Sequence, residues 1–269
     1  MTKELEVKKA NELAEFKGQF NSSLGLGAGE NIDNDDIILP KLQLVQALSQ
    51  AVADKQAEAG SYFNTVDKID LGGSVDIIVM SSVKLWQVFK EVVTPGKGGK
   101  EKVKLEYVET IDYLGHEELP IDEQLHDGTV IHRDKLLRFY VLLVSDLKDG
   151  MAFPHVVDFK RTSYKAGREL QTKFARLRSV GLPSYAKVFT LGTQFIQDEY
   201  DYYVKTVSVG RNISAEELAG VEAWIIELQK NKQKYKADES DEKEASTVVE
   251  AEVVSNANNA KGESPKAKF

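Results

Sequence analysis

Between residues 75 and 90 the chain alternates apolar and polar side chains, and this pattern constrains its fold more than any other feature. Val75, Ile77, Val79, Val83, Leu85 and Phe89 fall on one side of an extended backbone, with Asp76, Ser82, Lys84, Trp86 and Lys90 on the other. A helix would scatter these residues around its circumference, whereas a strand separates them at period two. The spacing therefore predicts one strand long enough to curve. Thr94 to Lys102, TPGKGGKEK, is a glycine-rich basic loop, and Val103 to Tyr113 alternates again. Together they predict a hairpin with Lys97, Lys100 and Lys102 at its tip. Leu136 to Val144, LLRFYVLLV, predicts a very apolar strand, paired with Phe153 to Lys160 through a turn at 148–150. After Pro183, Tyr185 to Phe195 and Tyr200 to Val209 read as a further hairpin closed by Gln197 to Glu199.

Between those strand pairs lies KRTSYKAGRELQTKFARLR, residues 160–178, with seven basic side chains against the single acid Glu169. At 100° per residue, Ala166, Leu170, Phe174 and Leu177 share one side of a helix, while Lys165, Arg168, Thr172, Lys173 and Arg176 share the other. Thr162 or Ser163 is placed to cap its start, and Gly181 followed by Pro183 to stop it. Surface helices usually mix both signs along a face, so this one asks for an anionic partner. Ser214 with Glu217 predicts a capping box opening a closing helix, whose buried side is Leu218, Val221, Ile225 and Leu228. Residues 3–20 read as a short flanking helix, and Ile37 to Val52 as a short strand or buried helical turn interrupted by Pro40.

The chain has 269 residues, 42% of them hydrophobic, and can bury a full core. It has no cysteine, which excludes disulfides, thiolate zinc sites and a cysteine nucleophile. No apolar run reaches the roughly eighteen residues of a membrane span, and the charged start is unlike a secretory signal, so a cytoplasmic location is expected. A net charge of -8 argues at first against nucleic acid, yet residues 237–269 hold eight acids and four bases and so contribute -4. The charge is segregated. Three segments follow: 1–34, a helix and a flexible linker around Gly25, Gly27 and Gly29; 35–236, the folded domain; and 237–269, a disordered acidic tail.

The order long strand, strand, strand pair, helix, strand, strand predicts a β-rich α+β fold. Its expected form is an elaborated OB-fold-like barrel, five strands with the helix between strands 3 and 4. Such a barrel binds ligand on the face of its second and third strands and in the loops after the first and fourth. Single-stranded nucleic acid needs a cationic track and flat rings on which bases stack. Lys84, Trp86 and Lys90 share a strand face, and Arg138 with Tyr140 and Tyr203 with Lys205 repeat the pairing at i and i+2. With Lys97, Lys100 and Lys102 of the loop and Lys160, Arg161, Lys165, Arg168, Lys173, Arg176 and Arg178 of the helix, they form the expected nucleic-acid-binding set.

The opening ILPKLQLVQALSQ, the AGSYFNT before the first barrel strand and the acidic tail make residues 37–236 with their tail resemble phage-encoded single-stranded-DNA-binding proteins. The resemblance implies a protein that coats unwound DNA in replication and recombination and recruits partners through its tail. Phe269 would be the anchor, although Lys266 and Lys268 beside it depart from an aspartate-rich tip. The alternatives are an adaptor acting on host transcription or recombination machinery through protein contacts, or a metal-dependent nuclease, for which Asp158-Phe159-Lys160 is a fragment of a site. No phosphate-binding loop or nucleophile motif is present, so no enzyme activity and no cofactor are expected. His116, His126 and His132 match no compact ligand spacing, and no metal is expected there.

Overall fold

The computed structural model describes residues 37–95, 101–148, 152–198, 200–231 and 236–237. In order these form β1 (Ile38–Leu39), β2 (Leu42–Leu44), α1 (Gln50–Ala53), β3 (Tyr62–Asn64), β4 (Ile69–Asp70), β5 (Ser74–Pro95), β6 (Glu101–Asp112), β7 (Asp122–Gln124) and β8 (Val130–Leu143). They continue with α2 (Val144–Lys148), β9 (His155–Lys160), α3 (Tyr164–Ser179), β10 (Lys187–Ile196), β11 (Tyr202–Asn212), α4 (Ala215–Asn231) and β12 (Lys236–Ala237). The fold is β-rich, with few helices. The main sheet runs β11-β10-β5-β8-β7, with β6 also paired to β5 and β9 to β8; β2-β3-β4 and the parallel pair β1-β12 make two small sheets. Among the described residues the strand ladders do not close into a barrel. The expected N-terminal helix, linker, lysine tip at Lys97 and Lys100, and acidic tail with Phe269 lie outside the described residues.

The described residues divide into two compact units, one built from 37–87, 110–119 and 134–237 and the other from 88–109 and 120–133. In the first, period two decides the core. Val75, Ile77 and Val79 of β5, Leu137, Phe139 and Val141 of β8, Val157 and Phe159 of β9, and Phe189 and Leu191 of β10 pack with Leu170 and Phe174 of α3. The alternate residues Ile78, Met80, Leu142 and Val188 pack instead with Val221 and Leu228 of α4. Both faces of these strands are therefore covered, one by each helix. The opposite face of β5 and β8, expected to meet ligand, is thus packed against α4 at Ile78, Met80 and Leu142, a correction to that expectation. Polar and apolar residues alternate over only part of each strand, and Ile78, Met80 and Leu142 bury the remainder.

Several local features match their residues. Antiparallel β8 and β9 pair from Leu136 with Lys160 to Val141 with His155, and β10 with β11 from Lys187 with Asn212 to Ile196 with Tyr202. At the end of α3, Gly181 has φ +76°, its N–H donates to Arg178 O at 3.0 Å, and Leu182 N–H donates to Leu177 O at 2.9 Å. That Schellman arrangement needs a left-handed residue, which glycine adopts without strain. The start of α3 differs from expectation: Arg161–Ser163 form a 3-10 turn, and the Ser163 hydroxyl accepts from Lys205 N–H at 3.2 Å instead of capping the helix. Before α4, Ser214 N–H donates to Glu217 Oε2 at 2.8 Å and Glu217 N–H to Ser214 Oγ at 3.2 Å, the reciprocal capping box. His155 is buried, and burial pushes its pKa down; its Nδ1 bonds Phe153 O at 2.9 Å and Nε2 meets Asn64 Nδ2 at 3.1 Å.

The second unit is more polar. Phe89 packs edge-on against Tyr107 at 6.0 Å, and Lys90 pairs with Glu106 at 3.0 Å. His132 stands between Glu91, 2.7 Å from Nε2, and Asp122, 2.6 Å from Nδ1. Burial opposes the charged ring, but the two carboxylates outweigh it and raise its pKa. Both ring nitrogens are thus already committed. Among the described residues no helix is long and apolar enough to cross a membrane.

Candidate nucleic-acid interface

The basic helix holds its expected orientation. Gly167, Leu170 and Phe174 are buried, and Ala166 and Leu177 pack beside them, so the opposite face looks outward. Gly167 sits where a Cβ would approach Phe159 Cβ to 2.7 Å and its ring to 3.0 Å, so the glycine lets α3 lie close against β9. Lys165, Arg168, Arg176 and Arg178 are exposed, and among the described residues no carboxylate reaches ion-pair distance of any of them. Lys173 is half-buried, its Nζ donating to Val207 O at 3.3 Å. Arg161, at the strand-to-helix junction with φ +47°, places Nε 2.6 Å from Asp134 Oδ2. Beside the last turn of α3, Ser82, Gln171, Arg178, Leu182 and Tyr185 line an open cleft of about 620 Å³.

Other basic residues of the expected set point inward. Arg138 is 6% exposed, and its Nε and Nη2 donate to the two Asp158 carboxylate oxygens at 2.8 and 2.9 Å. Lys41 Nζ lies 3.4 Å from the same carboxylate, and Lys205 Nζ donates to Asp158 O. Burial alone would raise the Asp158 carboxyl, but Arg138 first, then Lys41 and Lys205, hold it far below the ordinary carboxylate range. Arg138 and Lys205, expected at the surface as partners of Tyr140 and Tyr203, are therefore part of the interior. Tyr140 is half-buried against the α4-side core, and burial raises its pKa. Lys160 Nζ donates to Gln87 Oε1 at 3.1 Å, while the buried Gln87 Nε2 has no partner. In Asp158-Phe159-Lys160 the carboxylate is thus already engaged by cations. Lys41 is absent from the expected set and Asp158 enters it only as a metal-site fragment, although each interrupts an apolar run, in ILPKLQL and in HVVDFK. That signal marks a buried pair.

Trp86 is 1% exposed, so it offers no free ring face. Its Nε1 donates to His116 O at 2.9 Å, and the Tyr113 ring lies against it with centroids 5.2 Å apart. Lys84 is half-buried with its ammonium 3.3 Å from the Tyr113 centroid. Lys90 belongs to the second unit, and Lys102 stands near the start of β6. Tyr203 is half-buried; its ring lies so close to Gly60, φ +88°, that a Cβ there would come within 2.5 Å. Gln46 pins the Tyr203 backbone at both ends, Nε2 donating to its O at 2.9 Å and Oε1 accepting from its N–H at 2.8 Å. Beyond it the end of the β10–β11 hairpin exposes Phe195 at 49% and Tyr200 at 76%; neither has a basic residue two positions away, so the i and i+2 pairing does not mark them.

A family model described as Pam3 phage gp34-like protein matches residues 8–241, most of the chain and all of its described strands and helices. The chain belongs to that family. The family's description indicates a phage protein. Comparison with curated proteins and with solved structures found no match.

Proposed function

We propose that this family member binds single-stranded DNA with little sequence preference, coating unwound DNA in phage replication or recombination and recruiting proteins through its tail. The observation that carries the reading is the outward face of α3, where Lys165, Arg168, Arg176 and Arg178 stand exposed in a chain of net charge -8. Unneutralised cations on one face of an acidic protein form a focused field for an anionic polymer. The order β11-β10-β5-β8-β9, with α3 between β9 and β10, supports a five-stranded, partly open OB-type arrangement. Where a strand ladder would close it, Lys205 of β11 instead reaches Asp158 of β9 and Ser163 in the turn that follows it. Phe269 in the tail remains the proposed anchor for protein partners.

Anisotropy of a labelled oligothymidine tests the reading. Affinity should fall with salt at about -0.7 in log–log slope per phosphate neutralised, roughly -3 for four contacts. Equal or tighter binding to blunt duplex overturns it. A second reading, a protein-binding adaptor, is favoured by Phe195 and Tyr200 at a hairpin end that also carries Asp198 and Asp201. Acids beside exposed rings repel phosphate and suit a basic protein surface. Absence of oligonucleotide binding at low salt, in folded protein, selects that reading.

A further inference from the structure

The expected base platform, Trp86, is buried, but the structure holds a half-exposed ring directly upon it. Tyr113 follows β6 and packs on Trp86 at an interplanar angle of 34°. Two hydrogen bonds and one turn fix this pair. Tyr113 N–H donates to Lys84 O at 3.2 Å, Trp86 Nε1 donates to His116 O, and Gly115, φ +84°, lets the chain turn between them. Lysines flank both rings: Lys84 Nζ over Tyr113, and the exposed Lys135 with Nζ 5.4 Å from the Trp86 centroid. Beside Tyr113, Leu114 is 84% exposed. A ring, an apolar side chain and two ammonium groups thus share one small surface.

We infer that Tyr113 is a ring on which a base of a single strand stacks, with Trp86 its buried support and Lys84 and Lys135 its phosphate contacts; this rests on the single-strand reading above. The Lys84 ammonium lies over the Tyr113 ring, 3.3 Å from its centroid. A cation over a partly exposed ring is held more weakly than a stacked base. An arriving base therefore takes that face, and the displaced ammonium, on a flexible stem, moves to the adjoining phosphate. Nothing is lost by the lysine in the exchange, since a diffuse contact with a ring becomes an ion pair. The two rings have separate tasks: burial fixes Trp86, and Trp86 holds Tyr113 in a defined plane. The exposed carboxylates of Asp112, Glu117 and Glu118 flank Tyr113 in sequence and oppose the phosphate, and hydrogen bonds from backbone amides, its own and that of Gly115, hold the Glu117 pKa low.

Substitution of Tyr113, read by oligothymidine titration over a range of salt, tests the assignment. Tyr113→Ala should weaken binding about 5- to 150-fold with the salt slope unchanged, the signature of a lost stacked base. Tyr113→Phe keeps the ring and should bind as the unsubstituted chain does. Tyr113→Leu still covers Trp86 without a π-face, so it should lose affinity as alanine does even if alanine itself unfolds. Lys84→Gln should lower the slope magnitude by about 0.7. Full affinity in Tyr113→Leu overturns the stacking role while leaving single-strand binding in place. Failure of the unsubstituted chain to bind overturns both.

Discussion

Lysine and arginine meet opposite fates in two regions of this chain. On α3, Lys165, Arg168, Arg176 and Arg178 face outward with no carboxylate at ion-pair distance among the described residues. Around Asp158, Lys41, Arg138 and Lys205 are buried, and each bonds or pairs with that one residue. Exposed cations cost little to keep hydrated, so they are available to a partner at little expense to the fold. Buried ones have lost their water and depend on the carboxylate that faces them. Basic residues therefore mark a binding face only where the fold leaves them in solvent.

The sharpest break of that comparison comes from Asp158→Ala, which removes the carboxylate that Arg138 and Lys41 face in the interior. Urea unfolding should show a loss of about 3–5 kcal/mol, persisting in high salt because the pair is shielded from solvent. A loss below about 1 kcal/mol would mean the interior cations are not dependent on Asp158. An intermediate case is Glu217, buried itself but bound to the half-exposed Arg211. Hydrogen bonds from Arg211, against the opposing effect of burial and with help from Ser214, lower its pKa from 4.5 to about 2. A depressed folded-state pKa contributes stability above the unfolded value and loses it as pH falls through the folded one. On the order of 1–2 kcal/mol should thus disappear between about pH 4.5 and pH 2, after allowance for the solvent around Arg211. Glu217→Gln should lack this part of the acid transition, and an unchanged acid profile would remove Glu217 from the account. The smallest effect on stability belongs to Arg168→Ala with Arg176→Ala, which should alter unfolding by no more than about 0.5 kcal/mol. The same pair should flatten the salt dependence of oligothymidine binding by about 1.4 in slope. An unchanged slope would remove the α3 face from the interface.

Much of the architecture was legible because it depends on short-range periodicity. The apolar stripe Ala166, Leu170, Phe174 and Leu177 orients α3, the Ser214–Glu217 box starts α4, and the turn before Pro183 needs only Gly181 in a left-handed conformation. The site was legible by the same rule only on α3. Arg138 and Tyr140, or Trp86 and Lys84, share a strand face by alternation, but alternation does not say what covers that face. Trp86 is covered by Tyr113, 27 positions on in the chain, and Arg138 is met by Asp158, 20 positions away and across a strand pair.

Local pattern by itself determined the long strands β5, β6 and β8 to β11, the helices α3 and α4, and which side of α3 is basic, because backbone geometry and burial of a stripe act over a few residues. Only the tertiary structure decided which charged and aromatic side chains reach solvent. That choice belongs to contacts between residues far apart in sequence, where desolvation makes one carboxylate worth keeping inside for the cations around it.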